Sequence, residues 1–196
     1  MLLHGRIPSS GPEGIGLIFR NIIYYELTYS SYVYFMNRPK QGDTSLTYCV
    51  NGIFLKFITD KWKNHDVYKR EKHLASVLNS FSWFPTLLFN YDEKELLIYK
   101  YCGVHLTKNN CPKDAIKQIN KILNDLDSVN IQHNDIKKEE LLVDKNGKVY
   151  LCDFGWGSIN NNLACGIDIW GHNKSKPNGT LSDKTVIQRL GIENYI

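Results

Sequence analysis

No apolar run in this sequence is long enough to cross a bilayer. The longest, Ile15–Phe19 and Ile22–Tyr25, are cut short by Arg20, Asn21 and Glu26, well below the ~18–20 residues a spanning helix needs. The amino terminus lacks the basic segment, apolar core and small-residue cleavage site of a signal peptide, so we expect an intracellular, cytoplasmic protein with no membrane attachment. Cysteine is scarce and odd in number. Cys49, Cys102, Cys111, Cys152 and Cys165 include no Cys-x-x-Cys pair and no metal-ligand spacing. That argues against a disulfide framework, and Cys49 and Cys152, lying in apolar runs, read as small buried hydrophobes. Without a secretory signal, the Asn-x-Ser/Thr triplets at Asn173 and Asn178 read as chance matches. The net charge of +4 is small. It suits an anionic ligand such as phosphate and does not by itself argue for nucleic acid.

What is present is an ordinary globular composition, 42% hydrophobic and 22% charged over 196 residues. That length makes one compact domain or two small lobes sharing a cleft. No internal repeat is visible. Residues 1–30 read as a flexible extension: Gly11, Gly14 and Gly16 sit among Pro8, Ser9, Ser10 and Pro12. No strand precedes these glycines and no Gly-Lys-Ser/Thr follows, which weakens a phosphate-loop reading.

From Tyr32 the pattern sharpens. Tyr32–Met36, Leu46–Val50 and Ile53–Ile58 are β-branched and aromatic, and Asn51-Gly52 is a two-residue hairpin signal, so a three-stranded antiparallel meander is expected. Residues 37–45 read as a polar turn. Lys56 is the one charge in the most apolar strand. Val67, Glu71, Leu74 and Leu78 fall at helical spacing, and two further strands are expected at Thr86–Asn90 and Glu95–Tyr101. Cys102-Gly103 marks a lobe boundary. Pro112 is expected to start an amphipathic helix whose apolar stripe runs from Ala115 to Val129. His133-Asn134-Asp135, a strand at Leu141–Val143, an Asn146-Gly147 hairpin and a strand at Val149–Cys152 then lead into Asp153-Phe154-Gly155.

This order resembles the protein-kinase-like superfamily over roughly residues 32–155. His133 to Val143 is similar to the kinase catalytic loop, His-Arg-Asp-Leu-x-x-x-x-Asn, and Asp153-Phe154-Gly155 to the metal-binding Asp-Phe-Gly, 18 positions after Asp135. The resemblance implies an α+β, bilobal fold: an N-terminal extension (1–30), a small antiparallel-sheet N-lobe (31–101) and a truncated, mainly helical C-lobe (102–196). It implies ATP with Mg²⁺ or Mn²⁺ as cofactors and a hydroxyl-bearing acceptor, either protein Ser/Thr or a small molecule. Phosphoryl transfer is chiefly positioning and charge neutralisation, which is why these residue types are needed. By resemblance Asp135 is the catalytic base, Lys137 reaches the transferred phosphoryl group and Asp153 holds the metal. Lys56 contacts the α/β-phosphates and is held by Glu71, 15 residues on. Backbone groups of Lys100, Tyr101 and Cys102 would bind adenine, with Tyr99 at the entrance to the inner pocket; the same run also reads simply as a buried strand. His133 is expected to pack under Asp153-Phe154-Gly155.

Four departures qualify the resemblance. Glu140 replaces the loop Asn that helps hold a second metal. Only Gly42, in place of Gly-x-Gly-x-x-Gly, joins the first two strands, leaving Lys40 or Ser45 to assist with phosphate. Asn134 stands where the family has an arginine that grips an activating phosphate, so control by activation-loop phosphorylation is not expected. Finally, 41 residues follow Gly155, without Ala-Pro-Glu; Asp168-Ile169-Trp170-Gly171 is faintly similar to the start of the next large helix, or is a surface turn. A short C-lobe leaves room for a protein partner to complete it. The alternative function is a pseudokinase, a nucleotide-binding or scaffolding domain.

Overall fold

A computed structural model of the chain describes residues 40–41, 45–50, 52–59, 67–160, 162–163 and 181–195. Tyr32–Met36, Gly42, Cys165, Asp168, the two Asn-x-Ser/Thr triplets and the 1–30 extension lie outside the described residues. The described residues form an α+β structure with antiparallel sheets and few helices.

Strands β1 (Lys40–Gln41), β2 (Ser45–Val50), β3 (Ile53–Ile58), β4 (Leu87–Tyr91) and β5 (Leu96–Lys100) form one antiparallel sheet in the order β1-β2-β3-β5-β4. Val50 pairs with Ile53, so β2 and β3 join as the hairpin that the Asn-Gly pair predicts. β1 is a correction: it falls in the stretch read as a polar turn, because strand pairing with Leu46 and Thr47 overrides local composition. β5 lies between β3 and β4, and Leu96 to Tyr99 are all buried. Helix α1 (Val67–Leu78) has the bounds its periodicity predicts, and Leu74, Ala75 and Leu78 on it are fully buried in a core shared with Leu97 and Tyr99.

Gly103 turns the chain out of the five-stranded sheet at φ 133°, where a Cβ would sit 2.1 Å from the Val143 carbonyl oxygen, so no larger residue fits. Beyond it β6 (Val104–His105) pairs with β8 (Leu141–Val143), and β8 with β9 (Val149–Leu151). Helix α2 (Ala115–Ser128) buries Ala115, Ile119, Ile122, Leu123 and Leu126 on one face. It begins three residues later than expected: Pro112 makes a preceding turn, its carbonyl accepting from the Ala115 N–H at 2.9 Å. Gln118 on α2 braces the β8–β9 hairpin, donating to the Gly147 carbonyl and accepting from the Val149 N–H, both at 2.9 Å. β7 (Ile131–Gln132), β10 (Ser158–Ile159) and β11 (Asn162–Leu163) form a third small sheet. Helix α3 (Asp183–Leu190), not expected from the sequence, is capped by Ser182, whose Oγ accepts from the Thr185 N–H. One hydrophobic cluster runs from Ile58 and Leu97 through α1 and Phe154 to α2 and α3.

That continuity sets a stability expectation. Leu126 is 1% exposed while Leu88 on edge strand β4 is 45% exposed. Urea denaturation should show Leu126→Ala losing about 2–5 kcal/mol and Leu88→Ala less than about 1 kcal/mol; similar losses would contradict a core centred on α2.

Candidate active site

Lys56 is placed by β3, between Thr47 on β2 and Leu97 on β5. Its alternation with Ile58 turns the ammonium inward, where it is 3% exposed. Such a charge is tolerable only with partners. It has two: Glu71 Oε2 from α1 and Asp153 Oδ1 from the end of β9, each 2.7 Å from Nζ. Glu71 is buried rather than solvated, and its other oxygen accepts from the Tyr99 hydroxyl at 3.0 Å. Burial works against the Lys56 ammonium, but the Asp153 and Glu71 charges hold its pKa well above the ordinary lysine value. Burial raises Glu71 despite Lys56, whereas for Asp153 the lysine overcomes burial and holds the carboxyl below its usual range. Asp153 adopts φ 62°, a left-handed conformation that Asp tolerates better than most residues.

Asp135 lies on the loop between β7 and β8. Its Oδ2 accepts from Lys137 Nζ at 2.9 Å, while Oδ1 is buried without a hydrogen-bond partner among the described residues. Burial raises the Asp135 carboxyl against the opposing pull of Lys137. The loop is fixed by its backbone. Asp183, at the start of α3, accepts from the His133 N–H at 2.6 Å and the Asn134 N–H at 3.1 Å. The Asp135 N–H points to His133 Nδ1 at 3.3 Å, which assigns the ring proton to Nε2, donating to the Cys152 carbonyl at 2.8 Å. The ring packs on Phe154 with centroids 4.5 Å apart.

Glu140 follows in a short 3₁₀ turn, beside Cys152, whose N–H donates to the Glu140 carbonyl at 3.0 Å. Burial, then the charge of Asp153, pushes its carboxyl up to about 8. Four carboxylates (Glu71, Asp135, Glu140, Asp153) thus share two ammonium groups, Lys56 and Lys137. No three His, Cys, Asp or Glu side chains among the described residues form a ready-made metal cage.

Four of these six groups open onto a cavity of about 780 Å³, within the ordinary size of a small-molecule site. Lys56, Glu71, Glu140 and Asp153 line it, as do Ser45, Tyr99, Lys100, Tyr101 and Cys102; Asp135 and Lys137 do not. Along the connecting segment, the Lys100 N–H donates to the Thr86 carbonyl and the Tyr101 N–H to the Gly52 carbonyl, both at 2.9 Å. The Cys102 N–H has no such partner among the described residues and keeps its hydrogen-bonding capacity. Burial pushes the Cys102 thiol up to about 11 and the Cys152 thiol well above the ordinary value, which favours the protonated form of both.

Sequence reading missed three contributors. Asp183 gave only a helix-start signal, Ser182 before an apolar-periodic run. The Tyr99 bond to Glu71 and the buried Arg70 on α1 depend on which face a residue presents in three dimensions, which no local pattern encodes.

No protein-family model matches the chain. Over 111 residues, 51% of the chain, it is 30% identical to the Aurora kinase of Saccharomyces cerevisiae, of which that segment covers 30%. It is 47% identical over 51 residues (23% of the chain, 5% of the relative) to a protein of Dictyostelium discoideum named as a probable serine/threonine-protein kinase, kinX. It is also 38% identical over 53 residues (27% of the chain, 20% of the relative) to serine/threonine-protein kinase 1 of Heliothis zea nuclear polyhedrosis virus. The chain therefore has a kinase-like relationship over part of its length, and it spans less than a third of each of these relatives.

The raised Glu140 pKa makes a signed prediction for the metal-free protein. An unfolded glutamate titrates near 4.5 and this one near 8, so between those values the folded state holds a proton that the unfolded chain has released. Folding stability contributed by this group then falls as pH rises through that window. In EDTA, Glu140→Gln should gain stability over wild type by about 3–4 kcal/mol more at pH 8 than at pH 5. Urea midpoints at the two pH values check this; a pH-independent difference would mean Glu140 titrates normally.

Proposed function

We propose that this chain is a phosphotransferase of kinase-like, two-lobed build that moves the γ-phosphoryl group of ATP to a hydroxyl acceptor. In this reading residues 31–101 form the N-lobe and 102–196 a shortened C-lobe. The observation that carries it is Lys56 bridging Glu71 and Asp153 on the wall of the 780 Å³ cavity. A lysine so held is a fixed positive point on the wall of a nucleotide-sized space, suited to the α/β-phosphates. The backbone at Lys100 to Cys102, with the Cys102 N–H uncommitted, suits adenine. The names of two relatives point to serine or threonine as the acceptor.

Mg²⁺ or Mn²⁺ fits the donor set. The excess of carboxylates over ammonium groups calls for a cation, and the orphaned Asp135 Oδ1 and protonatable Glu140 mark where charge is uncompensated. With no preformed cage among the described residues, a hard cation would be held by Asp153 and Glu140 together with phosphate and water oxygens, as Mg²⁺ commonly is. When bound it supplies charge neutralisation to the phosphates. The chain's own residues do the rest. Asp135 Oδ1 is free to accept the proton of the acceptor hydroxyl, and burial makes that carboxylate a stronger base. Lys137, tied to Oδ2, keeps the carboxylate oriented and brings positive charge toward the transferred group.

Glu140, in place of the family's asparagine, keeps one alternative in play: a pseudokinase that binds nucleotide without transferring phosphate. ATP turnover decides between them. Asp135→Asn should lower kcat by about 10²-fold or more with little change in ATP KM. Lys56→Met should weaken binding or turnover at least tenfold, and circular dichroism checks that each variant folds. Metal-dependent nucleotide binding without turnover in the wild type would favour the pseudokinase. Absence of nucleotide binding would overturn both and leave the scaffolding form of the pseudokinase.

A further inference from the structure

The segment that follows Asp153 is gripped from two sides by residues outside the reacting groups. On α1, Arg70 is fully buried, and its Nη1 donates to the Gly155 carbonyl at 2.6 Å. Its guanidinium lies 5.8 Å from the Trp156 ring centroid. From the loop that carries Asp135, the Asn134 Nδ2 donates to the Trp156 carbonyl at 2.9 Å and to Ser158 Oγ at 3.0 Å. Between these grips the backbone runs hard against α1: a Cβ on Gly157 would lie 2.2 Å from Leu74 Cδ1.

We infer that Arg70 and Asn134 form a two-sided clasp on residues 155–158 that holds Asp153 beside Lys56 without any activating modification. The inference deepens the functional reading above, since it takes Asp153 as the metal-holding group. A buried guanidinium is costly unless partnered, and one of its partners here is the Gly155 carbonyl. Its position explains its presence. Arg70 and Glu71 are consecutive on α1, so one helix reaches Asp153 from both ends: through Lys56 to the carboxylate and through the Gly155 carbonyl to the backbone two residues on. Shifting α1 or the segment breaks both attachments together. Asn134 sits at φ 67°, a left-handed conformation that asparagine tolerates. The resembled kinases carry there an arginine that takes hold of an added phosphate. Here the shorter side chain reaches the segment itself, so the grip is present in the unmodified chain.

The test pairs hydrogen exchange with turnover. Arg70→Met removes one grip, Arg70→Lys keeps a donor, and Asn134→Gly removes the other side chain while suiting the positive φ. In Arg70→Met and in Asn134→Gly, amide exchange over residues 154–159 should accelerate at least tenfold while α2 stays protected, which also shows that the variants fold. The Mg²⁺ concentration for half-maximal ATP turnover should rise at least fivefold, with Arg70→Lys between wild type and Arg70→Met. Phosphatase treatment of the wild type should leave turnover unchanged. Unaltered exchange in both variants overturns the clasp, and so does faster exchange with an unchanged Mg²⁺ requirement. A tenfold loss of turnover on phosphatase treatment overturns its independence of modification. If the wild type turns over no ATP, the functional reading falls, and the exchange result alone upholds or overturns the clasp.

Discussion

A single buried ammonium organises this protein. Lys56 can sit at 3% exposure inside an apolar strand only because carboxylates from α1 and from the end of β9 meet it there. Removing both partners would leave a buried charge uncompensated, a loss of about 3–5 kcal/mol for a buried pair; with either one gone, the other still pairs with the lysine. The five-stranded sheet, α1 and the segment after β9 are separated in sequence by up to 97 positions, and this one group makes their relative placement an electrostatic necessity. Tyr99 completes it: by taking the second Glu71 oxygen it leaves that carboxylate one orientation, aimed at the lysine.

The rest of the structure holds the carboxylates where the lysine requires them. α2 is a rigid apolar support, and its Gln118 fixes the β8–β9 hairpin through two backbone bonds. That hairpin presents Glu140 and Asp153 side by side at its open end, where the Cys152 N–H donates to the Glu140 carbonyl. His133 and Phe154 pack as one unit beneath, and Asp183 secures the loop from α3. Asp135 and Asp153 are therefore fixed to a common base, whereas Lys56 arrives from the opposite sheet. A division of this kind keeps the placement of Asp135 independent of that of Lys56.

Much of this was legible in the sequence because it rests on local pattern. The bounds of β3 and α1 follow from apolar periodicity, and the Asn51-Gly52 pair fixes the β2–β3 register. The lysine, glutamate and aspartates were found by their order along the chain, and the structure brings Lys56, Glu71 and Asp153 within bonding distance. The misses are non-local. β1 exists only through its pairing with β2, and α3 carries too short an apolar stripe to be recognised against 41 residues of mixed composition. Asp183 was missed because its function is to accept two backbone N–H groups about 50 positions away. Gly42 and Asp168, singled out by analogy, lie outside the described residues.

Asn134 and Glu140, the two loop residues that differ from the resembled catalytic-loop pattern, act on the same balance in opposite ways. An arginine at 134 would bring a charge that needs an anion, whereas asparagine satisfies its neighbours with neutral hydrogen bonds and asks for nothing further. Glu140 moves charge the other way, adding a carboxylate where Asp153 and Asp135 already crowd. The protein is thus relieved of a positive group on the side of the segment and loaded with a negative one on the side of the cavity. Without a cation the cheapest response is to keep a proton on Glu140, which is what its raised pKa expresses. Divalent metal would compete for that proton. In our reading, then, the readiness of the site depends on metal and pH at the cavity, while residues 155–158 are already held in place.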